Sequence, residues 1–134
     1  MARGLRNNNP GNIRHSVDKF QGETLSNDKS FKTFVDIEHG YRAIFIILSN
    51  YLKNGFNTIE KIITRWAPPV ENSTQAYINT VCQRSGISRS ERLTTKDGEK
   101  YIKIVEAISF VENGAKPDLN SIEKGFKLQT KITR

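Results

Sequence analysis

Residues 38–53, EHGYRAIFIILSNYLK, carry the clearest folding signal in this chain. Apolar side chains recur there at intervals of three and four residues, the spacing that places them on one face of an α-helix. They are Tyr41, Ile44, Phe45, Leu48, Tyr51 and Leu52. Asn54 and Gly55 follow directly, and this pair is typical of a helix that ends in a left-handed residue. The stretch therefore predicts a long amphipathic helix with one buried face.

Similar signals further along the chain predict four more helices. We expect them over residues 58–66, 73–85, about 98–112, and from Asn120 onward, where Asn120 and Glu123 form a capping-box pattern. Residues 1–37 are polar and irregular, and residues 31–35 alternate weakly, as a short strand does. We predict a compact, mainly α-helical single domain over residues 1–134. It comprises an irregular lobe (1–37), a helical part (38–128) and at most a short pair of strands.

The composition narrows the possible partners and cofactors. A formal charge of +7 over 134 residues favours polyanions such as nucleic acid, anionic lipid or the bacterial wall. Nucleic acid is the weaker alternative, because no helix-turn-helix signature or continuous basic segment appears. With one cysteine and two histidines, we expect no disulfide, no metal and no cofactor. The longest apolar run, residues 43–48, predicts no membrane span, and we expect no signal peptide.

The most unusual residue for chemistry is Glu112. The apolar stripe of the fourth predicted helix continues from Ile104 through Ile108, and its next step lands on Glu112. A carboxylate there is desolvated and lies at the negative end of the helix dipole, and both effects favour the protonated form. A neutral carboxylic acid can protonate a glycosidic oxygen. The structural alternative is that Glu112 frays into solvent or pairs with a nearby lysine.

Two further segments carry candidate ligand-binding residues. One runs from Trp66 through two prolines to Tyr77 and presents Glu71 and Asn72 at the start of a helix. The structural alternative is that Glu71 and Asn72 only cap this helix and bind no ligand. The other is the Asn-rich turn of residues 6–14, whose side chains can hydrogen-bond sugars or can satisfy the backbone of their own loop. The candidates in that turn are Asn8, Asn9, Asn12 and Arg14.

Together these segments resemble a family of small phage and prophage proteins that are associated with virions. The resemblance covers about residues 4–125. It rests on RNNNPGNIR (6–14), GYRA (40–43), TIEKIITRWAPPVENSTQAYINTV (58–81) and AISFVENG (107–114). Phe31 and Phe34 also match, and Phe20 departs from the pattern, since tryptophan is common at that position. The members of this family are virion structural proteins or resemble peptidoglycan hydrolases.

A more distant resemblance is to glucosaminidase-type autolysins and lytic transglycosylases of the lysozyme superfamily. In those enzymes the catalytic acid lies in a segment similar to residues 112–114 of this chain. Their Asn-rich segment is similar to residues 8–13. Their aromatic loop is similar to residues 66–77. The order of the segments differs. We therefore expect a permuted lysozyme-like arrangement in which Glu112 faces the N-terminal lobe and the 66–77 segment.

The resemblance implies a peptidoglycan glycosidase or lytic transglycosylase with Glu112 as the general acid. A hydrolase would need a second carboxylate, for which Glu71 is the first choice, with Asp36 and Glu38 behind it. The turn, Trp66, Asn72 and Tyr77 would bind sugar. The protein would reach the cell wall from the virion or from the bacterial cytoplasm, with other virion proteins as possible partners. The alternative is a non-catalytic virion or wall-binding protein.

Overall fold

A computed structural model describes residues 1–67 and 73–134. The described residues form six helices and one antiparallel pair of strands, so the predicted mainly α class with a short strand pair is confirmed. The elements are α1 (Arg3–Arg6), β1 (Glu23–Thr24), β2 (Thr33–Phe34), α2 (Ile37–Lys53), α3 (Ile59–Trp66), α4 (Ser73–Ser85), α5 (Gly98–Asn113) and α6 (Leu119–Lys127).

The helix ends follow capping chemistry that is mostly visible in the sequence. The Thr58 side chain accepts a hydrogen bond from the amide of Lys61 and so caps α3. Gly114 ends α5 in the left-handed conformation, with φ of 65°. The predicted start of the last helix is wrong by two residues. Its cap is Asp118, which accepts a hydrogen bond from the amide of Asn120.

The core lies where the apolar faces of α2 and α5 meet α4 and α6. The predicted stripes are buried on both long helices: Tyr41, Ile44, Phe45 and Leu48 of α2, and Tyr101, Ile104, Val105 and Ile108 of α5. The Tyr41 hydroxyl and the Ser109 hydroxyl are 2.9 Å apart, which joins the two helices by a buried hydrogen bond. This packing fixes the direction in which the last turn of α5 points.

The N-terminal lobe is held together by one buried ion pair. Strand β1 pairs with β2 in the register Glu23 to Phe34 and Thr24 to Thr33. The Nζ of Lys32 lies 3.0 Å from Oε1 of Glu23, and the two side chains are 0% and 6% exposed. Lys32 also donates to the carbonyl of Asp18 at 2.9 Å. A buried lysine is tolerated because each of these contacts offsets part of its desolvation.

The lobe docks on α2 at a glycine. A Cβ added at Gly40 would lie 2.1 Å from the carbonyl oxygen of Asn8 and 2.6 Å from Cδ of Pro10. The Asn-rich turn therefore contacts the backbone of α2 directly, and any side chain at this position would push the two apart.

Replacing Gly40 by Ala is expected to lower the free energy of unfolding by about 2 kcal/mol, because overpacking against backbone outweighs the gain in helix propensity. Urea denaturation followed by circular dichroism measures it. Asn50→Ala is the control, since Asn50 is exposed on the same helix and the change improves propensity without a clash. A gain in stability from both substitutions would contradict the close approach.

None of the helices in the described part of the chain is long and apolar enough to cross a membrane.

Candidate functional site

A cleft of about 420 Å³ opens between the N-terminal lobe and the helical part. The Asn-rich turn forms one side of it, α2 and the end of α3 form another, and the last turn of α5 reaches into it. Its described lining consists of Gly11, Asn12, Ile13, Arg14, Phe31, Ile47, Tyr51, Trp66, Ala67 and Glu112. Its volume is within the range of pockets that bind small ligands.

Glu112 lies half-buried in this cleft, one turn beyond Ile108 on the buried stripe of α5. Both of its carboxylate oxygens are held. The hydroxyl of Tyr77 donates to Oε2 at 2.8 Å, and Nδ2 of Asn12 donates to Oε1 at 2.9 Å. The structure therefore places Glu112 between the N-terminal lobe and α4, and no lysine pairs with it among the residues described.

Tyr77 supports the carboxylate from below the cleft surface. Its side chain is buried against the core, with 9% of the residue exposed. Burial raises the pKa of the Tyr77 phenol far above its ordinary value, and the negative charge of Glu112 raises it further. The hydroxyl therefore stays protonated and acts as a hydrogen-bond donor. The hydroxyl contacts the acid, whereas the sequence analysis predicted a contact between Tyr77 and sugar.

Asn12 approaches Glu112 from the other side because the turn bends sharply at this residue. Its φ of 49° is in the left-handed region, which asparagine tolerates better than most residues. Its Nδ2 also lies 3.3 Å from the backbone carbonyl of Glu112. A Cβ on Gly4 would lie 2.6 Å from the Asn12 Oδ1 atom, so α1 packs tightly behind this side chain. These contacts place the Asn12 side chain beside the acid.

The other two candidate asparagines of the turn, Asn8 and Asn9, support their own loop. Asn9 is fully buried, its Nδ2 donates to the carbonyls of Ile13 and Lys32, and its Oδ1 accepts from the amide of Ile13. Asn8 has φ of 51° and donates to the carbonyl of Phe34. Neither residue is part of the described lining of the cleft, and the hydrogen bonds of both side chains lie within the N-terminal lobe.

Arg14 and Trp66 do line the cleft with Glu112, as their sequence assignments require. Trp66 packs against the bend, since a Cβ on Gly11 would lie 3.0 Å from its ring. Arg14 is exposed, and its guanidinium lies 5.2 Å from the ring centroid of Phe31. The cleft therefore combines an acid, a cation and aromatic surface.

The sequence candidates for a second carboxylate are Glu71, Asp36 and Glu38. Glu71 and Asn72 lie outside the described residues. Asp36 caps α2 by accepting from the amide of His39, and it does not line the cleft. Among the described lining residues, Glu112 is the one carboxylate. No cluster of three or more metal-ligating side chains occurs in the described part of the chain.

Sequence reasoning missed three apolar or aromatic contributors to the cleft. Ile47 and Tyr51 come from α2, and Phe31 comes from the loop before β2. Both are half-buried. Tyr51 belongs to the predicted apolar stripe of α2 and Ile47 does not, and an apolar residue outside the stripe is the sequence signal that could have marked Ile47 as lining. Burial raises the pKa of Tyr51, while the nearby charge of Arg65 lowers it.

The sequence is similar to that of a known phage protein. The chain is 43% identical over 132 residues to a protein called Protein P5 from Pseudoalteromonas phage PM2, and the match covers 94% of this chain and 81% of the relative. No known protein-family model matches the sequence.

Proposed function

The chain belongs to the phage protein family that includes Protein P5 of Pseudoalteromonas phage PM2, and from this starting point we propose that it cleaves the glycan strands of peptidoglycan. The observation that carries the proposal is the carboxylate of Glu112, held by Tyr77 and Asn12 in a cleft of about 420 Å³. A fixed, half-buried carboxyl group beside open space is suited to proton transfer to a bound ligand.

In this mechanism Glu112 is the general acid. It protonates the oxygen that leaves C1 of the N-acetylmuramoyl unit as the β-1,4 bond breaks. In a lytic transglycosylase, the 6-hydroxyl of that unit then forms a bond to C1 and returns its proton to Glu112. This route needs one carboxyl group, which fits the described lining of the cleft. Hydrolysis would instead need a second group to activate water, and Glu71 is the candidate.

The supporting residues have separate roles. Tyr77 and Asn12 are positioning residues, because they contact the acid and fix the direction in which it points. Trp66 and Arg14 would contact the glycan directly. The charge of +7 favours adsorption to the anionic wall, an attraction that weakens with salt. The enzyme would reach the wall from the virion or through the host cytoplasm.

The test is release of muropeptides from purified peptidoglycan by the wild-type protein, with the products identified by mass spectrometry. Anhydro-muramoyl ends identify a transglycosylase, and reducing muramoyl ends identify a hydrolase. Binding to the wall without any release would refute the enzymatic function. It would favour a non-catalytic wall-binding or virion protein, for which the two hydrogen bonds to Glu112 are structural.

Removing the hydroxyl of Tyr77 tests its positioning role. Tyr77→Phe keeps the buried ring and deletes the donor to Glu112, so we expect kcat to fall about tenfold with KM unchanged. Tyr101→Phe is the matched control, because Tyr101 is a buried tyrosine of α5 whose hydroxyl has no partner within the described residues. Equal rates for wild type and Tyr77→Phe would exclude a role for this hydrogen bond.

A further inference from the structure

The guanidinium groups of two arginines lie close to the aromatic ring of Phe31, and within the described part of the chain only one of them forms an ion pair. The Cζ atoms of Arg3 and Arg14 lie 4.6 Å and 5.2 Å from the ring centroid. Arg3 is bonded through two nitrogens to the carboxylate of Asp28, with both distances 2.6 Å. Arg14 forms no ion pair with any carboxylate of residues 1–67 and 73–134. Arg14 is thus available to a ligand.

The backbone around Arg14 is held from both sides. Arg14 and Phe31 form an isolated antiparallel bridge. The amide of Lys32 donates to the carbonyl of Ile13 at 2.9 Å, and the amide of His15 donates to the carbonyl of Ser30 at 3.1 Å. The ring of Phe31 then supports the side chain by a cation–π contact. Less conformational freedom is lost when such a group binds an anion than when a free side chain does.

Arg14 is also the one cationic side chain in the described lining of the cleft that contains Glu112. A guanidinium pairs best with a carboxylate, which it can meet with two parallel hydrogen bonds. A glycan built only of N-acetylglucosamine is neutral and offers no such partner. The N-acetylmuramoyl unit carries a carboxylate, either on its lactyl group or on the peptide attached to it.

We infer that Arg14 binds a carboxylate borne by the glycan, so that the cleft selects acidic muramoyl-containing strands over neutral N-acetylglucosamine strands. The inference rests on the proposed function and names its substrate class. Arg14 sets specificity through charge, and the acid–base chemistry remains with Glu112.

The experiment measures binding of three four-sugar glycans by calorimetry, in a Glu112→Gln background so that none is consumed. The glycans are chitotetraose, the alternating muramoyl tetrasaccharide without peptide, and the same tetrasaccharide with its stem peptides. We expect at least one acidic glycan to bind about tenfold more tightly than chitotetraose, since one charge-assisted pair distinguishes them. Tighter binding of the tetrasaccharide without peptide would identify the lactyl carboxylate as the group that Arg14 binds. Tighter binding of the tetrasaccharide with stem peptides would identify a carboxylate of the peptide.

Arg14→Gln should abolish this preference, because it removes the positive charge that distinguishes the acidic glycans from chitotetraose. The matched control is Arg65→Gln, which removes an exposed arginine that lies 5.9 Å from the ring of Phe56, outside the cleft, and should keep the preference. Equal weakening of all three glycans by Arg14→Gln would overturn the inference, as would the absence of glycan binding. If the wild-type protein does not cleave peptidoglycan but acidic glycans still bind more tightly than chitotetraose, only the enzymatic function is overturned.

Discussion

Glu112→Gln is expected to lower the rate of muropeptide release roughly 100- to 10,000-fold, the usual contribution of a general acid. Glutamine has the same shape but cannot donate the proton that the leaving oxygen needs. Its carbonyl can still accept from Tyr77. Asn12 can turn its amide so that Oδ1, which has no described partner, accepts from the new amide group. We therefore expect a folded protein with an intact cleft, measured as initial rates on purified peptidoglycan.

The matched control for this substitution is Glu106→Gln. Glu106 lies on the same helix and is also half-buried, but its carboxylate pairs with Arg84 outside the cleft. Both variants lose one negative charge from α5, and only the first loses the proposed acid. Release by Glu112→Gln at more than a tenth of the wild-type rate would show that another group protonates the bond.

The largest effect on stability is expected from Lys32→Met, which should lower the free energy of unfolding by about 3 kcal/mol at pH 7. Methionine fills much of the space but leaves the carboxylate of Glu23 buried without its main partner. Chemical denaturation at several pH values measures the change. Lys19→Met is the control, because Lys19 contacts the same carboxylate from a side chain that is 72% exposed, and a loss below about 1 kcal/mol is expected.

The loss should depend on pH in a defined direction. Burial raises the pKa of Glu23, but hydrogen bonds from Lys32 and from the amide of Phe20 outweigh it, so the folded-state pKa lies below the ordinary value. The stabilisation is therefore complete above the unfolded-state pKa, and it is lost as the pH falls through the folded one. The difference between wild type and Lys32→Met should shrink below about pH 4. A difference that is constant between pH 7 and pH 3 would contradict the ionic origin.

The helical part was predictable because each helix buries one regular face. The stripes of α2 and α5 predicted the core and the position of Glu112, and Thr58 and Gly114 marked helix ends. Helix α1 has only four residues, too few to show a period, so the sequence did not reveal it. The sequence analysis assigned the start of the last helix to Asn120, because Asn120 and Glu123 form a capping-box pattern. Asp118 is also a common capping residue, and it is the one that caps α6.

A site residue could be predicted where it interrupted a regular hydrophobic pattern. Prediction was less successful where several residues of the same type lay in one turn. Glu112 interrupts an apolar stripe, which marked it for attention. Asn8, Asn9 and Asn12 look alike in sequence, but only Asn12 lines the cleft. Backbone angles and contacts with distant segments decide whether an asparagine side chain hydrogen-bonds its own loop or Glu112. The lysozyme-like arrangement stays a prediction.

The carboxylate of Glu112 is held by two residues from remote parts of the chain, one of them a hundred positions away. Such a site exists only while the lobe, α4 and α5 are docked together. A molecule whose lobe has come loose would retain the carboxyl group and lose its alignment. The proposed glycan-cleaving activity would therefore be confined to molecules in which the lobe is docked.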